Sequence, residues 1–308
     1  MKRFIELHIK RNTAADASNG PRRIQLRIVP IAAVLAVSLL GVVTTETGAA
    51  SEGLQSFVTK KAATIENLHR KAKRALVNAA QDRAFEGYFD AHDDAARHTA
   101  KQRIEQVTLA TQQRFHVEEM CLIDPTGTEL TRIVGNEIAP DADLSTEEAQ
   151  AAFFKPGFAE QPRRVYVTNP YMSPDAHKWV LAYVTPVMAG DQKKAILHYE
   201  HGLEVYQQAV NKGLAGDDRY LLVVSQGGFV ISDSRRVPAV EKRGDSENPS
   251  DYFEQLDNVS PNGLAKVYES VGDNKTGAAK ISADGVDYGV AYAVVEGGLV
   301  LLAIERAQ

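Results

Sequence analysis

The feature that most constrains this chain is a succession of elements written twice. Val117 to Asp124 reads as an apolar strand, Pro125-Thr126-Gly127 as a turn, and Glu129 to Val134 as a second strand. After an irregular middle come β-rich runs at Val165–Thr168, Trp179–Val187 and Ala195–His201. They are separated by Asn169-Pro170, Ser173-Pro174-Asp175 and Gly190-Asp191. A helical run from Leu203 to Val210 and the segment Gly213 to Asp217 lead into a second round. Here Tyr220–Ser225, the turn Gln226-Gly227-Gly228 and Phe229–Asp233 repeat the hairpin, and a polar stretch covers Arg235 to Asn262. Three strands close the chain, at Thr276–Ser282, Val286–Val295 and Leu299–Ile304, with Asp284-Gly285 and Gly297-Gly298 between them. Such a repeat means two like units. The expected class is α+β: two modules, each an antiparallel sheet with helices on one side.

Ahead of the strands the period changes to that of a helix. Leu54, Val58, Ile65, Leu68, Ala72, Leu76 and Ala79 recur at spacings near three and four, and neither Gly nor Pro interrupts between Leu54 and Phe85. Lys60, Lys61, Glu66, Arg70, Lys71, Lys73 and Arg74 occupy the other faces, as on a solvated helix. A second helical stretch is expected from about Asp94 to Gln113, which makes 46–115 a long helical segment. A stripe of this length suits pairing with a second copy or packing along a domain of the same chain.

Further upstream, 1–27 carries Lys2, Arg3, Lys10, Arg11, Arg22, Arg23 and Arg27 against Glu6 and Asp16, and the run that follows, Ile28 to Val43, has no charge. With the next threonines, 28–45 is just long enough to span a bilayer as a helix. The basic flank then keeps the amino terminus in the cytoplasm and exports the rest. The expected location is the cell inner membrane, single-pass, with the bulk of the chain in the periplasm or otherwise outside the cytoplasm. The same run also fits an export signal, with Gly48-Ala49-Ala50 as the small-residue cleavage site. The net charge of -5 argues against a nucleic-acid partner. Cys121 is the single cysteine, so no intrachain disulfide can form, and its apolar neighbours Met120, Leu122 and Ile123 suit a buried thiol.

Several of these segments are similar to a known family. Leu122-Ile123-Asp124-Pro125-Thr126-Gly127-Thr128-Glu129 resembles the first hairpin of a Cache module, an extracellular sensor fold related to PAS domains. Val165 to Asp175, followed by Trp179-Val180-Leu181-Ala182-Tyr183-Val184-Thr185-Pro186-Val187, looks like that family's central pair of strands. Leu222 to Ser232 resembles the hairpin of a second, membrane-proximal module. The resemblance implies a double Cache fold, with a long N-terminal helix, a membrane-distal module over 116–213 and a membrane-proximal one over 214–308. It further implies a membrane-anchored extracytoplasmic small-molecule sensor in bacterial signal transduction. Because the chain stops after the second module, that sensor lacks its own output domain, or the chain is a truncated receptor. The alternative is a non-signalling periplasmic solute-binding or envelope protein on the same fold.

The resemblance also proposes a pocket in the distal module. Where amino-acid sensors of the family carry an Arg-x-Trp-Tyr-like stretch, this chain has Ala151-Ala152-Phe153-Phe154-Lys155 and no arginine. Glu200 looks like the family's acidic residue and Tyr171 like a pocket tyrosine. The implied ligand-binding set is Phe153, Phe154, Tyr166, Tyr171, Asp175, Trp179, Tyr183 and Glu200. Acceptors with aromatic walls suit an ammonium group, while Arg163 or Arg164 could clamp a carboxylate from another direction. Trp179 and Tyr183, an even number apart on one strand, share a face, which is either pocket or core. No enzymatic activity, cofactor or metal is expected. The chain has no nucleophile elbow or phosphate loop. His198 and His201 are three apart on a strand and point to opposite faces, and Glu118-Glu119 reads as a solvated pair. The expected partners are a small-molecule metabolite, a second copy through the N-terminal helix, and a separate signalling protein.

Overall fold

The computed structural model describes residues 49–115, 117–214, 219–236 and 244–307. The basic tail and the span 28–45 lie outside the described residues. Among the described ones no helix is long and apolar enough to cross a membrane. Helix α1 (Ala49–Ala80) has 32 residues, about 48 Å at 1.5 Å per residue. It does not continue to Phe85. Asp82 accepts a hydrogen bond from the backbone N–H of Ala84 and caps a separate helix, α2 (Arg83–Phe89). Helix α3 (Asp94–Phe115) follows.

The first sheet contains β1 (Glu119–Ile123), β2 (Glu129–Val134), β3 (Glu137–Ile138), β4 (Tyr166–Val167), β5 (Tyr171–Ser173), β6 (Lys178–Ala189) and β7 (Gln192–Gly202). Its order is β3-β2-β1-β7-β6-β4, with β5 also paired to β6, and every pair is antiparallel. Helix α4 (Phe154–Ala159) lies between β3 and β4 in sequence, and α5 (Leu203–Asn211) leaves β7. The second sheet holds β8 (Tyr220–Ser225), β9 (Phe229–Asp233), β10 (Glu254–Gln255), β11 (Thr276–Ala283), β12 (Val286–Val295) and β13 (Leu299–Arg306). Its order, β10-β9-β8-β13-β12-β11, repeats the plan of the first, with α6 (Leu264–Glu269) in its middle segment.

The apolar stripe of α1 is divided between the sheets. Leu54, Val58, Ala62 and Ile65 pack with Leu221, Val223 and Leu301 of the second sheet. Ala72, Leu76, Ala79 and Ala80 pack with Met120, Leu122 and Tyr199 of the first. Of the two roles the stripe could serve, it fills the one within its own chain. Helices do not cover one side alone. Leu264 and Val267 of α6 bury Leu222, Val224 and Leu302 on the far face of the second sheet, and Phe154 of α4 does the same over Cys121 and Val184 of the first. The reason lies in the strands. All of Glu119–Ile123 is buried, so both of its faces need cover.

Between the sheets, the β12–β13 turn of the second reaches the β4–β6 region of the first. Lys73 of α1 pairs with Glu296 in this turn. A Cβ on Gly297 would lie 3.2 Å from Leu181, and one on Gly298 would collide with the side chain of Asn169. Asn169 in turn donates to Gln226 of the second sheet. Gly298 has φ +67°, a conformation unfavourable for a side chain. Gly298→Ala is therefore expected to cost about 1–3 kcal/mol, combining left-handed strain with loss of the Asn169 contact. Chemical denaturation checks this: an unchanged midpoint would mean that the turn is not a docking contact.

Candidate functional site

Residue alternation on β7 creates two different surfaces. His198 and Glu200 face away from α1, while Tyr199 and His201 face toward it. On the α1 side, His69 Nδ1 lies 2.7 Å from the Tyr183 hydroxyl, which is 2.6 Å from that of Tyr206; Tyr206 lies 3.4 Å from His201 Nδ1. Burial lowers the pKa of His69, and it takes His201 down to about 4, so both imidazoles are neutral at pH 7. This network fastens α1 and α5 to the back of the first sheet.

The front is the candidate site. Antiparallel register places Glu119 opposite Glu200 and Cys121 opposite His198. The neighbouring β2 sets Arg132 opposite Cys121. Tyr171 on β5 donates its hydroxyl proton to Glu200 Oε1, so the Tyr171 oxygen can only accept from His198 Nε2, 3.1 Å away. That assigns the ring proton to Nε2. Nδ1 is left bare, 3.2 Å from Cys121 Sγ, and the thiol donates to it. Phe153, just before α4, stacks on the imidazole at 4.1 Å between ring centroids. The loop that carries Phe153 is held against the β1–β2 turn. Gly127 has φ +89° and leaves no room for a side chain beside Ala149, while its carbonyl accepts from Glu148 N–H.

A second polar group borders the first. Arg132 pairs with Glu129 at 3.2 Å and Asp175 at 3.1 Å. Burial pushes the Glu200 carboxyl up to about 7 against the opposing influence of the Tyr171 and Ser173 hydroxyls, and it takes His198 down to about 3. Glu119 lies well above the usual carboxylate range, first through burial and then through repulsion from Glu200, Asp175 and Glu129. Burial raises the Cys121 thiol in the same way. Glu200 Oε2 and Arg132 Nε are buried without a hydrogen-bond partner.

The residues expected to form a pocket divide between the two surfaces. Phe153, Phe154, Tyr166 and Tyr171 belong to the front cluster, Glu200 lies among them, and Asp175 is tied to it through Arg132. Trp179 and Tyr183 do share a face, but it is the back one. Tyr183 joins the His69 network, and Trp179 packs on Tyr252 and Phe253 of the second module, at a crevice of about 290 Å³. Arg163 and Arg164 are exposed, and Arg163 lines surface depressions with Val77 and Glu160. The guanidinium at the front is Arg132. Glu118-Glu119 is not a solvated pair: Glu119 is 4% exposed, and Glu118 bonds Lys178 at 2.5 Å. The signal for Glu119 and Cys121 was their even spacing along β1, and that for Arg132 was its place on β2 opposite Cys121.

Burial of Glu129 also sets a pH dependence. Burial raises its carboxyl to about 7, partly offset by the Ser145 N–H and Arg132 and reinforced by Glu148 and Asp175. The unfolded carboxyl titrates near ~4.3, so the folded state binds more protons between the two values. The associated stability is fully present below the unfolded pKa and is lost as pH rises through about 7. Glu129→Gln should remove this slope, up to roughly 3 kcal/mol. Melting curves at pH 5 and pH 8 test it, and parallel shifts in both proteins would refute it.

No protein-family model and no curated protein matches the sequence. Solved structures do match in fold. The sensory domain of the Campylobacter jejuni chemoreceptor Tlp3 with isoleucine bound has a TM-score of 0.62 at 12% identity, over 84% of this chain and 93% of that one. The sensor domain of the Vibrio cholerae histidine kinase DctB has a TM-score of 0.57 at 14% identity, over 84% and 98%. The extracellular domain of the histidine kinase vpHK1S-Z8 gives 0.60 at 14%, over 82% and 90%. The chain therefore has the α+β, double PAS-like fold of these sensory domains, the double Cache fold.

Proposed function

We propose that this chain is an extracytoplasmic small-molecule sensor in bacterial signal transduction, held to the inner membrane by the run 28–45. The ligand site lies on the front of the first sheet, in a membrane-distal module over 116–213, and 214–308 forms the proximal module. The observation that carries this reading is Glu200, 2% exposed, with Oε2 unpartnered and with Tyr171 and Phe153 beside it. A buried acceptor left without a partner costs about 1–3 kcal/mol, which a complementary donor on a ligand recovers.

Charge decides the class of ligand. Glu119, Glu129, Asp175 and Glu200 surround the front with Arg132 as the facing guanidinium, and Arg132 is already engaged by Glu129 and Asp175. A small cationic or neutral species is favoured over an α-amino acid held by its carboxylate. Binding and relay, without catalysis, account for this arrangement. A second copy of the chain would have to pair through the outer face of α1, around Lys60, Thr64 and Lys71, because the apolar stripe is occupied.

A thermal-shift screen of cationic, neutral and dicarboxylate metabolites tests the reading, since a ligand that binds only the folded state raises its apparent stability. For a cationic ligand, Glu200→Gln is expected to weaken binding by about 1.5–3 kcal/mol in calorimetry. Arg163→Ala and Arg164→Ala should leave it unchanged. Binding of a dicarboxylate that is insensitive to Glu200→Gln would reverse the assigned polarity.

A further inference from the structure

The front of the first sheet holds more than a carboxylate. Two residues of β1, Glu119 and Cys121, and their register partners on β7, Glu200 and His198, make a square on one face. Cross-strand partners lie about 4.5–5.5 Å apart at Cβ, close enough for their tips to converge on a single atom. One donor atom each from Glu119, Cys121 and His198 already lies within 4.8 Å of the others. The Sγ to Nδ1 separation is 3.2 Å. Bonds of about 2.3 Å to sulfur and 2.0–2.1 Å to nitrogen in a tetrahedron would set those atoms about 3.5 Å apart. The fourth corner brings an independent sign. Glu200, the register partner of Glu119, has Oε2 buried without a hydrogen-bond partner, while Oε1 is taken by Tyr171.

We infer that Glu119, Cys121, His198 and Glu200 form a binding site for a thiophilic divalent cation of the Zn²⁺ class. The inference names the cation for the site proposed above and rests on that reading for its location only. Thiolate, imidazole and carboxylate together suit zinc and its late first-row neighbours better than magnesium or calcium, which take oxygen. The supporting hydrogen bonds are also in place. His198 Nε2–H donates to Tyr171, whose proton goes to Glu200, which leaves Nδ1 unprotonated and facing the thiol. Metal-binding histidines are oriented in this way through their second nitrogen, and stacking of Phe153 fixes the ring plane. On binding, the cation replaces the thiol proton, which leaves to solvent.

The test uses the purified chain, stripped with chelator and titrated with Zn²⁺ and, separately, Co²⁺. One equivalent should be retained after desalting, the melting temperature should rise, and the Co²⁺ form should show a thiolate charge-transfer band. Cys121→Ser and Cys121→Ala should both lose the band and the retained metal while keeping a cooperative melt without metal. Tyr171→Phe should lower affinity by roughly 10–100-fold and keep the band. Metal retained equally by the Cys121 variants, or no retention by the wild type, overturns the inference. If an organic cation still binds in calorimetry and is lost in Glu200→Gln, the metal assignment fails and the sensor reading stands. If neither metal nor metabolite binds, both fail.

Discussion

One helix is buried twice. The stripe that begins at Leu54 is covered first by the second sheet and, from Ala72 onward, by the first. Burying a leucine- or isoleucine-sized side chain contributes about 1.5–3 kcal/mol, so Leu54, Val58, Ile65 and Leu76 tie each sheet to a common axis. Neither sheet could keep its apolar back face out of water without this helix. The described residues accordingly lie in one compact unit, and the position of every front-face residue is referred to α1 through the strand behind it.

The back of β6 and β7 shows how that reference is made specific. Apolar contact alone would let a helix slide or rotate, since one methylene is much like another. His69, Tyr183, Tyr206 and His201 add hydrogen bonds that are satisfied in one arrangement. Hydrogen bonds in a low-dielectric interior are strong and directional, so this chain of contacts favours one register. The same strands present His198 and Glu200 to the front. One residue step along β7 thus separates a structural network from the candidate site.

Much of the fold was legible because strand–turn–strand units announce themselves locally. Asp124-Pro125-Thr126-Gly127 and Gln226-Gly227-Gly228 mark the two hairpins, and the repeated order of strands follows from them. The break in the first helix was less visible, because Gln81-Asp82 contains neither Gly nor Pro and Asp82 acts through its cap. The site was legible in part. Tyr171 and Glu200 were reached through the family resemblance, and Trp179 and Tyr183 were correctly paired on one face by their even spacing. Which face that was depends on where α1 docks, information held far upstream in the chain. Glu119 looked like half of a surface pair, and no sequence motif singled out Arg132. Their meaning appears only when β1 is set beside β2 and β7.

The short segment from Thr168 to Tyr171 is touched from two directions. Tyr171 reaches Glu200 and His198, and Asn169 meets Gln226 and the Gly298 turn of the second sheet. A single residue, Pro170, separates a group in the site from a contact between modules. Thermodynamic reciprocity then applies. If occupancy of the site shifts the balance between docked and undocked turns by some factor, docking must shift affinity for the occupant by that same factor. A substitution at the turn, far from any ligand, becomes a way to read the free energy that couples the two halves of the molecule.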